Sequence, residues 1–297
     1  MTVPQINRPK EYLLLILLAC LWGSSYMFTK MGLESLPPTT LVALRVSFAS
    51  LILLLVIWRQ GYRLPTTRTD WWNFFVQSFL NGFGAWTLVA WGQQFVDSGL
   101  ATVLNSTSPI FVFLITWLIT RHETVTFRKI AGAFIGLAGV ILIIGVDALQ
   151  SLGQQVFAQL VILLAAMLFG YAAIRGKKFA HLPSTVTAAG VMIMASAVLV
   201  PASLIVDQPW TLEPSLRSLA AVMVLGTFGT AIALLIYFRL INTLGSMNAA
   251  SQSYLRMGVG VILGILIFGE QLSLTVAIGV AIAILGVALI NIPARKP

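Results

Sequence analysis

In an apolar stretch near residues 247–268, Asn248, Gln252 and Arg256 recur every fourth position, so a helix would carry them as one stripe on one face. Two amides and a guanidinium so placed are able to bind a zwitterion, with Arg256 taking the carboxylate in a bidentate pair. The plainer role for Arg256 is to tie its helix to backbone carbonyls of its neighbours. A second group lies near residues 100–120, where Pro109 follows Asn105 by four. Proline has no N–H, so the Asn105 carbonyl loses its helical partner and is free to bond elsewhere. Trp22 and Tyr26 are four apart, with Lys30 four further on, and Gln77 and Asn81 share that spacing beside Phe83 and Trp86. Tyr237 and Tyr254 also fall deep within apolar runs. Deep rings stack on aromatic or cationic groups, and simple packing is the competing use of each. Arg45 lies roughly 10 Å from the end of its run at helical rise, placed to act as a gate or a lure, or else to snorkel to the surface or cap a neighbouring helix. Lys30, at a run end, reads as an interface anchor.

The residue types missing at depth are equally informative. All nine acidic residues (Glu11, Glu34, Asp70, Asp97, Glu123, Asp147, Asp207, Glu213 and Glu270) fall at the ends of apolar runs or between them, as do His122 and His181. A proton-driven carrier usually holds an ionisable proton-binding group inside the membrane, so obligatory proton coupling is not expected. An intramembrane protease or lipid transferase would need a nucleophile with its base, or clustered metal ligands. Neither pattern is present, so the chain is not expected to be an enzyme, and no cofactor or metal is expected. The single cysteine, Cys20, can form no disulfide within the chain. Asn105-Ser106-Thr107 formally matches a glycosylation acceptor, but inside a span the match is coincidental.

These residues are carried by unusually apolar elements. Of 297 residues, 58% are apolar and only 9% charged, with mean hydropathy +0.94. A soluble domain would have about a quarter of its residues charged, so most of this chain's surface must face lipid. Apolar stretches fall near 12–31, 39–58, 72–95, 100–120, 128–146, 155–175, 183–205, 215–238, 247–268 and 273–292. Each is close to the roughly 20 residues that one spanning helix needs. The expected fold is an all-α membrane protein of ten transmembrane helices. Fourteen of the 18 Lys and Arg residues lie in alternate segments, beginning with Arg8 and Lys10 and ending with Arg295 and Lys296. By the positive-inside rule those segments, and both termini, are cytoplasmic. The net charge of +9 therefore reflects topology and not a nucleic-acid partner. Met1 to Glu11 leads into a retained helix rather than a signal peptide. Trp58, Trp71, Trp72, Trp117 and Trp210 sit near run ends, as an interfacial belt would.

A shift of 147 residues aligns the chain with itself. It pairs Trp22-Gly23 with Phe169-Gly170, Lys30 with Lys177, Gly82 with Gly229, Asn105-Ser106 with Gln252-Ser253, Glu123 with Glu270, Gly132 with Gly279 and Gly139 with Gly286. Residues 1–147 and 148–297 are thus expected to be two five-helix repeats. Five is odd, so the second enters the membrane from the opposite side, and inverted repeats are a hallmark of transporters. Glu123 and Glu270 are placed to stabilise the N-termini of the helices that follow them. Gly132, Gly136 and Gly139, with Gly279 and Gly286, resemble small-residue faces that let two helices approach closely.

Leu21-Trp22-Gly23-Ser24-Ser25, Leu44-Arg45, Asn105-Ser106-Thr107-Ser108-Pro109 with Glu123, and Gly269-Glu270 with the glycines after it follow in an order that resembles the EamA-type drug/metabolite transporters. The resemblance covers nearly the whole chain. It implies two inverted five-helix repeats around a central cavity lined by spans 1, 3, 4, 6, 8 and 9. It also implies a bacterial inner-membrane location and a small-molecule substrate, with amino-acid exporters, particularly of aromatic amino acids, as the most similar members. Asn105, Gln252, Arg256, Trp22, Tyr26, Asn81, Trp86, Tyr237 and Tyr254 are the expected substrate-binding residues, with Arg45 and Pro109 in gating. A phosphorylated substrate is the main rival, because Lys30, Arg45 and Arg256 could form a cationic cavity. One chain holding both repeats completes a cavity, so a monomer in the lipid bilayer, without nucleic acid, is expected.

Overall fold

A computed structural model describes residues 8–120, 127–144, 154–244, 252–271 and 273–291. Glu123 and Asn248 lie outside these residues, as does the Tyr254 side chain. The helices are α1 (Arg8–Gly32), α2 (Pro38–Gln60), α3 (Arg68–Asn81), α4 (Phe83–Gly92), α5 (Ser98–Asn105), α6 (Ser108–Ile115), α7 (Phe127–Ile144), α8 (Gln154–Arg175), α9 (Ser184–Val206), α10 (Leu216–Gly226), α11 (Ala233–Leu244), α12 (Gln252–Phe268) and α13 (Leu274–Asn291). No strand occurs among the described residues. Among the described residues, six segments are long and apolar enough to cross a membrane: Pro9–Gly32, Pro38–Gln60, Ser98–Leu118, Gln154–Phe179, Ser184–Val206 and Leu216–Leu244. The burial pattern is inside-out relative to a soluble protein. Leu13, Leu51, Phe134, Ile205 and Leu266 face outward, while Arg45, Gln77, Asn105, Thr230 and Arg256 are buried. Only a lipid surround favours both placements.

Two of these segments, and the run formed by α3 and α4, are interrupted, each for a local reason. Between α3 and α4, Gly82 adopts φ −126°, ψ −107°. At the equivalent place after the 147-residue shift, Gly229 lies in a π-helical stretch, Thr227–Ile232, joining α10 to α11. There Thr230 Oγ1 donates to the carbonyl of Leu225, five residues back. Between α5 and α6, Ser106 and Thr107 form a turn, and Pro109 sits in the first turn of α6. Pro tolerates that position because the N–H it lacks would have no helical partner there.

The packing pairs are interchangeable under the same shift. Helix α1 packs on α12, and α6 on α8; α4 packs on α8, and α10 and α11 on α1; α3 packs on α9, and α10 on α2. Helix α2 packs on α9, and α7 lies against α13. The last pair is the closest. A Cβ on Gly139 would stand 2.7 Å from the Gly279 carbonyl oxygen, and one on Gly286 would meet the backbone of Gly132 and Gly136. The glycines expected to form a packing face do so. Gly23 plays the same part where α1 crosses α12, since a Cβ there would lie 2.7 Å from the Val259 Cβ.

Polar contacts sort the ends of the segments into two groups. At one end Arg239 holds Glu11, and His181 meets Asp70. At the other, Lys30 bridges Asp97 at 3.0 Å and Glu270 at 2.8 Å, and Arg217 faces Glu34. Carboxylates at this second end cap helices that are remote in sequence. Asp207 accepts from the Thr40 N–H in the first turn of α2. Glu270 accepts from the N–H groups of Ser98 and Gly99 and from the Ser98 hydroxyl. The capping role expected of Glu270 is therefore correct in kind but falls on a different helix. It serves α5, whose own N-cap residue Asp97 makes no side-chain cap bond, because α5 and α12 pack together and bring its N-terminus to the carboxylate. Lys30 is likewise an ion-pair bridge rather than a bare interface anchor. Trp58, Trp72 and Trp210 are exposed as a belt requires, whereas Trp71 is half-buried and donates to the Pro65 carbonyl.

Candidate functional site

One cavity of about 860 Å³, its opening included, collects most of the polar residues within the spans. Of the residues singled out by spacing, Trp22, Tyr26, Asn81, Trp86, Asn105, Tyr237, Gln252 and Arg256 line it, together with Arg45 and Pro109. Gln77 does not; its amide donates to the Ala172 carbonyl and ties α3 to α8. Lys30 does not line it either, being held by Asp97 and Glu270, which removes one cation from the cationic cavity that the sequence allowed. The segments expected at the cavity all contribute, and α2 joins them through Arg45.

The break in the span formed by α5 and α6 is used as its chemistry requires. The Asn105 carbonyl, deprived of an N–H by Pro109, accepts from Arg256 Nη2 at 3.1 Å, while Arg256 Nε donates to the Ser106 hydroxyl at 3.2 Å. Both amino-acid stripes therefore meet here, with α12 supplying the guanidinium and α5 the turn it clasps. The Asn105 side-chain amide donates to the Tyr26 hydroxyl, and Gln93 donates to the Tyr26 carbonyl at 3.0 Å. Trp22 and Tyr237 form an aromatic pair with centroids 5.0 Å apart.

Arg45 neither snorkels nor reaches the surface. Only 6% of it is exposed, its guanidinium lies 3.8 Å from the centroid of the Trp86 ring, and its Nε donates to the Thr230 hydroxyl at 2.8 Å. Thr230 lies in the π-helical stretch and is buried there, its hydroxyl between Arg45 and the Leu225 carbonyl. Thr230, Ser106 and Ser253 were not apparent from spacing, because a lone hydroxyl in an apolar run is ordinarily satisfied by the preceding turn. Phe169, Ser25 and Thr29 also line the cavity; Phe169 had a signal as the repeat partner of Trp22 and Ser25 as part of the Leu21–Ser25 motif, whereas Thr29 had none.

Among the described residues, the lining contains two arginines and no Asp, Glu or His. Neither arginine meets a carboxylate among the described residues. The side-chain oxygens of Asn81, Asn105 and Gln252 in the lining, like those of Gln77, Gln93 and Gln159 outside it, are buried without a donor among the described residues. Each such group costs free energy unless something bonds to it. Donors without acceptors and acceptors without donors thus lie together among aromatic rings inside the helical bundle of a multi-pass membrane protein.

The EamA-like transporter family model matches residues 9–145 and again residues 156–292. This chain belongs to that family and is a membrane transporter. It is 29% identical over 280 residues to the uncharacterized inner membrane transporter YedA of Escherichia coli (strain K12), covering 94% of this chain and 89% of that one. It is 25% identical over 279 residues to the uncharacterized transporter YoaV of Bacillus subtilis (strain 168), covering 94% and 95%. A solved crystal structure aligns with a TM-score of 0.68 at 18% identity, over 97% of this chain and 99% of that one, a likeness of fold.

Proposed function

We propose that this transporter exports amino acids, aromatic or otherwise neutral, by alternating access of the central cavity, without obligatory proton coupling. The observation that carries the reading is the pairing of uncommitted guanidinium donors with three donor-less amide oxygens in one aromatic-lined cavity. A carboxylate answers the first and an ammonium the second, which is the polarity of an α-amino acid. Trp22, Tyr237, Trp86 and Phe169 supply apolar and quadrupolar surface for a side chain or a cation. The mechanism follows from two halves of five spans with inverted orientation, residues 1–147 and 148–297, rocking about the packing pairs they share. A lining without carboxylate or histidine favours facilitated transport or exchange. The protein is placed in the cytoplasmic membrane, as a monomer with both termini inside.

The test is uptake of labelled amino acids into proteoliposomes of purified protein without an imposed ion gradient. Saturable uptake competed by tryptophan or phenylalanine supports the reading. A phosphorylated metabolite is the alternative served by the same two arginines, and inhibition by phosphate esters but not by amino acids would select it. Reproducible acceleration by a pH gradient, beyond effects on substrate charge, would overturn the uncoupled mechanism.

A further inference from the structure

The walls of the cavity carry charge that they do not balance. Arg45 and Arg256 are 6% and 7% exposed, and arginine keeps its proton in proteins, so two full positive charges lie within the bundle. Arg45 spends Nε on the Thr230 hydroxyl and its face on Trp86. Arg256 spends Nε on the Ser106 hydroxyl and Nη2 on the Asn105 carbonyl. Every one of these partners is neutral, and the Nη1 group of each arginine makes no hydrogen bond among the described residues. Carboxylates on the lining helices or at their ends are engaged elsewhere, Glu11 with Arg239, and Asp97 and Glu270 with Lys30. Negative charge for the cavity therefore has to arrive with what it binds.

A neutral amino acid does not bring enough. Its carboxylate is offset by its own ammonium, so with a zwitterion aboard both arginines remain unbalanced, however the carboxylate divides between them. Water can solvate them while the cavity is open. Once both ends close, as alternating access requires, that water is lost and unpaired buried charge is strongly disfavoured. Each arginine also reaches across the molecule. Arg45 lies in the first family-matched segment and bonds Thr230 of the second, whereas Arg256 lies in the second and bonds Asn105 and Ser106 of the first. Both charges thus stand at the seam that closure must compress.

We propose that the occupied cavity holds two anionic groups at once, and that with a neutral amino acid the second is a small inorganic anion, chloride, bound beside the substrate. This rests on the amino-acid reading given above; a substrate with a second acidic group supplies the same charge itself. The experiment measures L-phenylalanine binding to purified full-length protein in detergent, in chloride and in gluconate at equal ionic strength. Binding is expected to be about tenfold tighter in chloride, an ordinary coupling between two ligands. Chloride followed by thermal shift should tighten by the same factor when phenylalanine is present, which separates cooperation from competition by gluconate. Arg45→Gln and Arg256→Gln each remove one charge and are expected to shrink the chloride effect to within about twofold, while Arg45→Lys and Arg256→Lys keep the charge and keep the effect. L-glutamate, with its own second carboxylate, should show little chloride dependence.

Phenylalanine binding equal in the two salts, chloride that competes with phenylalanine, or a chloride effect that survives both glutamine variants would overturn the proposal. If phenylalanine binds in neither salt but glutamate binds in both, two anionic groups are still required and the neutral amino-acid reading alone falls. Chloride-dependent binding without uptake in proteoliposomes would leave the anion site standing and sink only the transport reading.

Discussion

The cavity residues work through imbalance. Protein interiors rarely leave polar atoms without partners, yet this lining holds arginine N–H groups and amide oxygens that do not satisfy one another. Asn105 shows how the imbalance is set up. Its backbone carbonyl is taken by Arg256 and one N–H of its amide by Tyr26, while Oδ1 is buried without a hydrogen-bond partner among the described residues. An Asn105→Asp substitution puts a carboxylate beside Arg256 at almost no change in shape. It is expected to lower uptake of a carboxylate substrate by about tenfold or more through internal ion pairing, while thermal stability in detergent stays level or rises. A fall in both would mean that the amide is a structural rather than a ligand-facing group. Spacing identified Asn105, Gln252 and Arg256 as sharing helix faces, because periodicity is a property of one helix. It did not give the partners of the two arginines, because Thr230 and Trp86 for Arg45 and Ser106 for Arg256 come from other helices.

At the scale of elements, two devices hold the bundle: backbone-to-backbone glycine packing and carboxylate caps delivered between helices. Where α7 meets α13, a Cβ at Gly286 runs into the backbone of Gly132 and Gly136, which cannot step aside as a side chain can. Gly286→Ala is therefore expected to reduce the yield of folded protein sharply, read as loss of the monodisperse peak in size-exclusion chromatography. The same change at Gly258, whose Cβ would meet nothing, should leave the peak intact. Glu270 is the clearest cap, accepting two backbone N–H groups, one hydroxyl and the Lys30 ammonium. Burial pushes its carboxyl up, but the Lys30 bond and the N–H groups of Gly99 and Ser98 outweigh this and hold it below the ordinary value of 4.5. A depressed carboxyl contributes stability that is fully present above its unfolded value and is lost as pH falls through the folded one. Glu270→Ala is expected to cost about 1–2 kcal/mol, as loss of a helix cap does. It should also remove part of the acid lability of the protein, visible as a flatter melting temperature between neutral and acid pH. An unchanged acid profile would show that Glu270 does not titrate in the folded range.

At the scale of the whole molecule, the duplication sets the frame and its imperfections carry the chemistry. The packing pairs interchange under the 147-residue shift, but the cavity lining does not. Tyr26 faces Ala173, Asn81 faces Phe228, Trp86 faces Ala233 and Tyr237 faces Ala90 across the repeat. The family match thus falls on both halves, while the residues that line the cavity differ between them. The inverted arrangement predicts opposite exposure of the two groups of ends. In a Cys20→Ser background, cysteine at Gln208 should react with an impermeant maleimide from outside intact cells, and cysteine at Arg63 only after permeabilisation. The reverse pattern would invert the orientation, and reaction of both from one side would refute the alternation.

Local and periodic properties were legible in the chain itself. The apolar runs give the spans, since a helix must bury all its backbone polar groups within lipid. The single offset gives the duplication, and the missing N–H of Pro109 gives the break at Asn105. What required the tertiary structure was every pairing between distant segments: Arg45 with Thr230, 185 residues apart, Arg256 with Asn105, 151 apart, and Glu270 with Lys30, 240 apart. A sequence states which donors and acceptors a helix carries and on which face. Which of them are consumed inside the protein, and which are left for a substrate, is decided only when the helices of the two halves pack and each polar group meets a partner or does not.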